Sequence, residues 1–130
     1  MARKIKLPPL SEAQLAIMNV VWERGEVTVA GVWEALAARR PVARNTVQTL
    51  MTRLDEKGWL RHRADGKTFH YSAAVDRSGA LGGIVSRLVE TAFAGSAEGL
   101  VMTLLDGRGV SKEEAERIRA LVDRAEEKSR

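Results

Sequence analysis

Cysteine is absent from the 130-residue sequence, and histidine occurs only twice, as His62 and His70. The lack of thiols excludes disulfide bridges and thiolate metal centres, and it fits a reducing compartment. The sequence also lacks an apolar run long enough to span a membrane, and its basic start is not followed by the apolar core of a signal peptide. We therefore expect a cytoplasmic protein that needs no metal or other cofactor and does not insert into a membrane.

Catalytic motifs are missing as well. The glycine-rich stretches at residues 79–83 and 107–109 match neither a dinucleotide-binding pattern nor a P-loop. Ser96 lies between Gly95 and Ala97, which is not the setting of a nucleophile elbow. No pair of carboxylates or histidines is expected in a cleft, so the sequence predicts a protein that is not an enzyme.

Charge is distributed unevenly along the chain, whose net charge is +4. Residues 1–75 contain 12 Lys and Arg against 7 Asp and Glu, whereas residues 76–130 contain 9 against 10. The N-terminal part of the sequence is therefore basic and the C-terminal part is close to neutral. A basic N-terminal part suits a polyanionic partner such as nucleic acid.

Residues 43–58 predict an amphipathic helix. Val47, Leu50, Met51 and Leu54 follow the i, i+3, i+4, i+7 spacing of one apolar helix face. The other face has hydrogen-bonding and cationic side chains in its N-terminal half, and carboxylates appear only near the end of the helix. The polar residues of this face are Arg44, Asn45, Thr46, Gln48, Thr49, Thr52 and Arg53.

A β-hairpin is predicted directly after this helix. Gly58 ends the helix, and Asp65 and Gly66 separate two strand-like runs, which is a strong hairpin pattern. A turn centred on these two residues gives one packing face and one basic face. The packing face has Leu60 opposite Tyr71 and His62 opposite Phe69, and the basic face has Arg61 opposite His70 and Arg63 opposite Thr68. A helix followed by a basic hairpin is typical of the recognition helix and wing of a winged helix-turn-helix.

This arrangement predicts which residues bind DNA. Asn and Gln can bond adenine edges, Arg can bond guanine, and Thr can contact a phosphate or a thymine methyl group. The predicted DNA-binding residues are Arg44, Asn45, Thr46, Gln48, Thr49 and Arg53 of the helix and Arg61, Arg63 and Lys67 of the wing. The alternatives are a plain solvated helix face and cations that protect an edge strand from aggregation. The aromatic residues expected in the core are Trp22, Trp33, Trp59, Phe69 and Tyr71.

The rest of the N-terminal half predicts the helices that support the recognition helix. Ser11 and Gln14 form a capping-box pattern, and the helix that they start should end at Gly25. Val27 is predicted to pair with the wing as a short strand, and Thr28 to cap a second helix. The residues expected on the buried face of the first helix are Leu15, Met18, Val21 and Trp22. We divide the chain into a flexible basic arm at residues 1–10, a winged-helix domain at 11–75 and a helical dimerisation domain at 76–130.

The dimerisation domain is predicted from three amphipathic helices behind Ser72. Three such helices lack the depth to enclose a good core alone, and a two-fold dimer is the commonest way to bury their apolar stripes. Gly79, Gly82 and Gly83 suggest a flexible junction before them. The fold class is therefore mainly α with a small β-hairpin, in two parts. The predicted dimerisation residues are Leu88, Phe93, Leu100, Val101, Leu104, Ile118 and Val122.

The chain resembles a known family of repressors. The residues that carry the resemblance are 10–13 with Met18 and Trp22, the string at 46–54 with Lys57 and Gly58, and the wing end at Tyr71 and Ser72. They resemble the penicillinase and methicillin-resistance repressors, the BlaI/MecI family, from about Leu10 to Val122. The copper-responsive branch of that family binds metal through a cysteine cluster, which this chain lacks.

The resemblance implies a homodimeric winged-helix repressor that sits on a palindromic DNA operator and blocks antibiotic-resistance genes of the β-lactamase type. It also implies a membrane sensor-protease whose signal leads to cleavage within the dimerisation helices. In the two resistance repressors the cut falls at an Asn-Phe bond. The matching bond here joins Thr103 to Leu104, both of which differ from that pair. Leu104 is expected to be buried by its stripe.

Two other functions fit a protein of this kind. One is a small-molecule-responsive winged-helix regulator with a ligand pocket at the dimer interface, since pockets do not show in periodicity. The other is a structural nucleoid or RNA-binding protein, which would need exposed aromatic platforms. The aromatic residues are predicted to be buried, so this second alternative ranks last.

Overall fold

The computed structural model describes residues 7–129, which form six helices and one three-stranded antiparallel sheet. The elements in chain order are α1 (Glu12–Arg24), β1 (Glu26–Val27), α2 (Val29–Ala37), α3 (Arg44–Glu56), β2 (Leu60–Asp65), β3 (Thr68–Ala73), α4 (Arg77–Ala92), α5 (Ala97–Gly107) and α6 (Lys112–Lys128). The predicted class, mainly helical with a small β-hairpin, is confirmed. The chain divides into one unit up to Val85 and a second unit from Ser86, inside α4.

Local capping residues set the ends of the first two helices as predicted. The Ser11 hydroxyl accepts a hydrogen bond from the backbone of Gln14, whose side chain accepts one from the backbone of Ser11. Gly25 ends α1 with a φ of +83°, a conformation that favours glycine. The Thr28 hydroxyl accepts a hydrogen bond from the Gly31 backbone at the start of α2. These contacts depend only on residues close in sequence.

The core of the first unit lies between α1, α2, α3 and the sheet. Val47, Met51 and Leu54 of α3 are at most 1% exposed, and Leu50 is half-buried beside them. In α1 the buried residues are Ile17, Met18 and Val21, whereas Leu15 is only half-buried. The prediction of Leu15 as a core residue was therefore wrong, because it lies at the margin of the arc centred on Met18 and Val21.

Three tryptophans tie distant segments to this core. The indole nitrogens of Trp22, Trp33 and Trp59 donate hydrogen bonds of 2.9, 2.8 and 3.1 Å to the backbone oxygens of Val75, Val42 and Pro8. The bond to Val42 holds the turn between α2 and α3. The bond to Pro8 holds the segment before α1, where Leu7 and Leu10 pack on the core. Residues 7–10 of the predicted flexible arm are thus attached to the domain, and residues 1–6 lie outside the described part of the chain.

The sheet has the strand order β1, β3, β2. Val27 pairs with Tyr71 of β3, so the predicted pairing of Val27 with the wing is confirmed. The hairpin register differs from the prediction by two residues, because Asp65 pairs with Thr68 and the turn consists of Gly66 and Lys67. Gly66 has a φ of +62°, which fits a type II′ turn with glycine at its first central position. The observed pairs are Leu60 with Ala73, Arg61 with Ser72, His62 with Tyr71, Arg63 with His70 and Ala64 with Phe69.

The second unit consists of the end of α4 with α5 and α6. None of its described side chains, residues 86–129, is buried. Phe93, Leu100 and Ile118 are half-buried within it. The large apolar side chains that α4, α5 and α6 expose are Val85, Leu88, Val101, Met102, Leu104, Leu105, Leu121 and Val122. Leu104 is 38% exposed in the single chain, contrary to the prediction that its own stripe buries it.

The helix α4 runs without a break through Gly79, Gly82 and Gly83, where the sequence suggested a flexible junction. Within residues 7–129 no single helix is long and apolar enough to cross a membrane. By length and composition α4 and α5 meet that test only as a pair, and they are bent by 94° at their break.

Candidate nucleic-acid interface

The outward face of α3 is polar and fully accessible. The buried residues of α3 hold the helix so that its opposite side faces solvent. All six helix residues predicted to bind DNA are exposed: Arg44, Asn45, Thr46, Gln48, Thr49 and Arg53. Thr52 is exposed as well, but its hydroxyl donates a 2.9 Å hydrogen bond to the Gln48 backbone oxygen of the same helix. Thr52 is therefore less available than Thr49 for an external partner.

The start of α3 is electrostatically positive. Its first turn has no acidic residue, and Ala43 at the N-cap gives no side-chain hydrogen bond to the helix. The first backbone N–H groups of α3 therefore lack a side-chain cap, and they lie at the positive end of the helix dipole. Arg44 adds a full charge at the same end. This part of the surface suits an anionic partner.

The wing-side flank of α3 faces the tip of the hairpin across a cleft of about 540 Å³. Arg44 and Gln48 of α3 line this cleft together with Lys67, Thr68 and Phe69 of the hairpin. Residues 28–30 at the start of α2 and Tyr71 of β3 also line it. The structure thus brings together three of the predicted residues, Arg44, Gln48 and Lys67, from two different elements.

The outer face of the sheet is less basic than predicted. Arg63 donates two hydrogen bonds to the Glu26 carboxylate, from Nε at 3.0 Å and from Nη2 at 2.8 Å. Arg61 donates to the Ala73 backbone oxygen at 3.4 Å. Of the three predicted wing cations, only Lys67 has no hydrogen bond or ion pair to another described residue. Glu26 was missed, although pairing of Val27 with the wing already placed Glu26 beside the outer face of β3.

A cluster of side chains joins the end of α3 to the hairpin. The His62 ring contacts the Asp55 carboxylate and stacks on Phe69, with 4.3 Å between ring centroids and 19° between planes. His62 and His70 lie on opposite hairpin faces, as predicted. Phe69 is 45% exposed, so its assignment to the core was wrong. The two-residue shift in register moves Phe69 towards the turn, and Tyr71 takes the buried position instead.

Residues 10–124 match the family model described as penicillinase repressor. The chain belongs to the penicillinase repressor family. The resemblance inferred from the sequence is thereby confirmed. This is a family of transcriptional repressors and not of enzymes, so the expectation of a non-enzymatic protein is confirmed too.

Two relatives align with most of the length of this chain. The transcriptional regulator BlaI of Mycobacterium tuberculosis is 32% identical over 120 residues, which are 91% of this chain and 86% of that protein. The penicillinase repressor of Bacillus licheniformis is 28% identical over 109 residues, or 84% and 85% of the two chains. A solution structure of monomeric Bacillus licheniformis BlaI in complex with the blaP half-operator matches with a TM-score of 0.50 at 32% identity. That match covers 57% of this chain and 90% of the other.

The ion pair on the outer sheet face gives a testable prediction. The hydrogen bond from Arg63 is the main cause that lowers the pKa of Glu26 below its ordinary value of 4.5. We expect Arg63→Gln to raise that pKa back towards 4.5, as measured by carbon-13 NMR of the Glu26 carboxyl group. Because the folded-state pKa is the lower one, the pair stabilises the fold above pH 4.5 and loses this effect as the pH falls through the folded value.

Arg61→Gln is the matched control for this titration, because Arg61 lies on the same strand face but bonds to a backbone oxygen. It should leave the pKa of Glu26 where it is in the wild type. An identical Glu26 titration in the wild type and in Arg63→Gln would show that the ion pair does not form in solution.

Proposed function

We propose that this family member is a homodimeric repressor that binds a palindromic DNA operator through α3 and the wing. The observation that carries the proposal is the exposed face of α3, whose N-terminal half has no carboxylate and lies across a cleft from Lys67. The BlaI of Bacillus licheniformis, solved on a half-operator, supports the same use of this domain.

The shape and chemistry of α3 fit the major groove, which admits one α-helix. Asn45 and Gln48 have amide groups that can bond both polar atoms of an adenine edge, and Arg44 and Arg53 can do the same for guanine. In the proposed complex Lys67 at the wing tip binds a phosphate. Arg63 must first exchange its carboxylate partner for a phosphate, so we assign the main wing contact to Lys67.

Base contacts and phosphate contacts are expected to respond differently to substitution. Asn45→Ala should cost about 1–3 kcal/mol of binding free energy on the cognate duplex and little on random DNA. Lys67→Gln should weaken binding to both duplexes similarly and lower the salt dependence of log K by about one unit. Titration of fluorescent duplexes at several salt concentrations measures both effects.

Ser86→Ala is the control for Asn45→Ala, since Ser86 is an exposed polar residue of α4 in the second unit. It should bind both duplexes as the wild type does. If Asn45→Ala loses the same binding free energy on cognate and random DNA, α3 is not the element that reads the DNA sequence.

The exposed apolar side chains of the second unit support a dimer. The predicted dimerisation residues divide into two groups in the structure. Phe93, Leu100 and Ile118 are half-buried within their own unit, whereas Leu88, Val101, Leu104 and Val122 are exposed. An apolar surface of this kind usually marks an association site, and a two-fold dimer is its commonest solution. A two-fold protein also matches the symmetry of a palindromic operator.

Val122 offers a sharp test, because it is 58% exposed and its replacement leaves the packing of its own unit intact. Val122→Asp should raise the dimer dissociation constant by about 100-fold, since the two-fold places an unpaired carboxylate twice in an apolar interface. Sedimentation equilibrium measures this constant. Ala120→Asp is the control, as Ala120 lies on the opposite side of α6 and is also exposed. A dimer of unchanged strength in Val122→Asp would reject this interface.

We also propose which genes the repressor controls and how its repression ends. The regulated genes would be antibiotic-resistance genes of the β-lactamase type, and a membrane sensor-protease would lead to cleavage between Thr103 and Leu104 in α5. A cut there separates α6 and its exposed Leu121 and Val122 from the rest of the chain. The two half-sites, about 34 Å apart, would then no longer be held by one two-fold unit. Each monomer would bind DNA alone and weakly.

Release is tested by expressing the protein with any sensor-protease encoded by a neighbouring gene and mapping the fragments by mass spectrometry before and after induction. We expect a new C-terminal fragment that begins at Leu104 only in the induced cells. An intact chain that nevertheless leaves its DNA would reject cleavage and favour release by a small molecule.

A further inference from the structure

The turn between α2 and α3 carries two adjacent arginines, Arg39 and Arg40, which the proposed function does not yet use. They belong to a stretch, residues 35–54, that contains four arginines and no carboxylate. Both side chains are exposed. Within residues 7–129, carboxylates pair with Arg63 and contact the rings of His62 and His70, and neither turn arginine has such a partner. Both guanidinium groups are therefore available to an anion from outside the chain.

The backbone that carries these arginines is held in place. The backbone N–H groups of Arg39 and Arg40 both donate to the Leu36 oxygen, at 3.1 and 3.3 Å. The indole of Trp33 donates to the Val42 oxygen on the other side of the turn at 2.8 Å. Pro41 between them restricts the chain further. Because the backbone is already fixed, binding an anion orders only the two side chains and not the turn itself.

The turn arginines and the wing tip lie on different flanks of α3. Arg39 and Arg40 line a groove that includes Thr46 and Leu50 of α3. The cleft with Lys67 includes Arg44 and Gln48 of α3 and none of the residues of the other groove. Glu23 of α1 lines the groove too, as its one carboxylate. The helix α3 thus separates two sets of exposed cations.

The two strands of a duplex place phosphates along both sides of the major groove, so a helix lying in that groove has phosphates on each flank. We infer that Arg39 and Arg40 bind phosphates of the DNA strand on the side of α3 opposite the wing. This inference rests on the proposed function, because it assumes that α3 enters the groove. The domain then holds both strands, with Lys67 on one and the turn arginines on the other.

Salt dependence measures the number of phosphate contacts. The probe is a duplex that the wild-type chain itself selects from a random-sequence library. Log K falls as log salt rises, and the double variant Arg39→Gln/Arg40→Gln should make this negative slope less steep by about two units. Arg39→Lys/Arg40→Lys should retain most of the slope, because it keeps both charges. The charge-matched control is Arg119→Gln/Arg124→Gln, two exposed arginines of α6, which should leave the slope unchanged.

Ethylation of single phosphates then shows which strand is contacted. We expect the double turn variant to lose interference at phosphates of one strand, and Lys67→Gln to lose it on the other strand. Three results would overturn the inference and leave the proposed function intact. They are an unchanged slope, a change equal to that of the α6 control, and loss of interference at the same phosphates as in Lys67→Gln. A wild-type chain that selects and binds no duplex would overturn both.

Discussion

Burial of the apolar side of α3 is the constraint on which the proposed DNA-binding surface depends. Val47, Met51 and Leu54 are enclosed by α1, α2 and the sheet, and each fully buried side chain of this kind contributes about 1.5–3 kcal/mol to folding. Because side chains on a helix have fixed angular positions, this burial leaves the side of Asn45 and Thr49 facing outward. The polar face is therefore presented by the same interaction that holds the domain together.

Helix caps and helix faces were predictable from short sequence spacing, and so was the pairing of Val27 with the wing, whereas the hairpin register and the contact of Glu26 with Arg63 were not. The caps at Ser11 and Thr28 and the two faces of α3 follow from residues three or four apart. The hairpin register was missed because a shift of two residues keeps every side chain on its predicted face. Only the backbone of the turn, with Gly66 first, distinguishes the two registers. The contact of Glu26 with Arg63 joins residues that are 37 positions apart, so a local sequence pattern does not predict it.

The second unit shows a different limit of sequence reasoning. Periodicity identified the apolar stripes of α4, α5 and α6, but it treats all residues of a stripe alike. Packing within the unit half-buries Phe93 and Ile118 and leaves Val122 largely exposed. The exposed part can be buried only by another surface, which is why a second copy of the chain is central to the proposed repressor. In the proposed repressor, dimerisation raises operator affinity through symmetry, and no contact of α6 with DNA is needed.

The most direct test of the account is an NMR titration of the full-length chain with the duplex that it selects, followed through its backbone amide signals. We predict that the largest shifts fall on α3, from Arg44 to Arg53, and on the wing tip at Gly66 and Lys67. Amides of α6 should move little, since this helix is assigned to the dimer alone. The account would be contradicted by largest shifts in the second unit, from Ser86 onward, with the signals of α3 unchanged at saturating DNA.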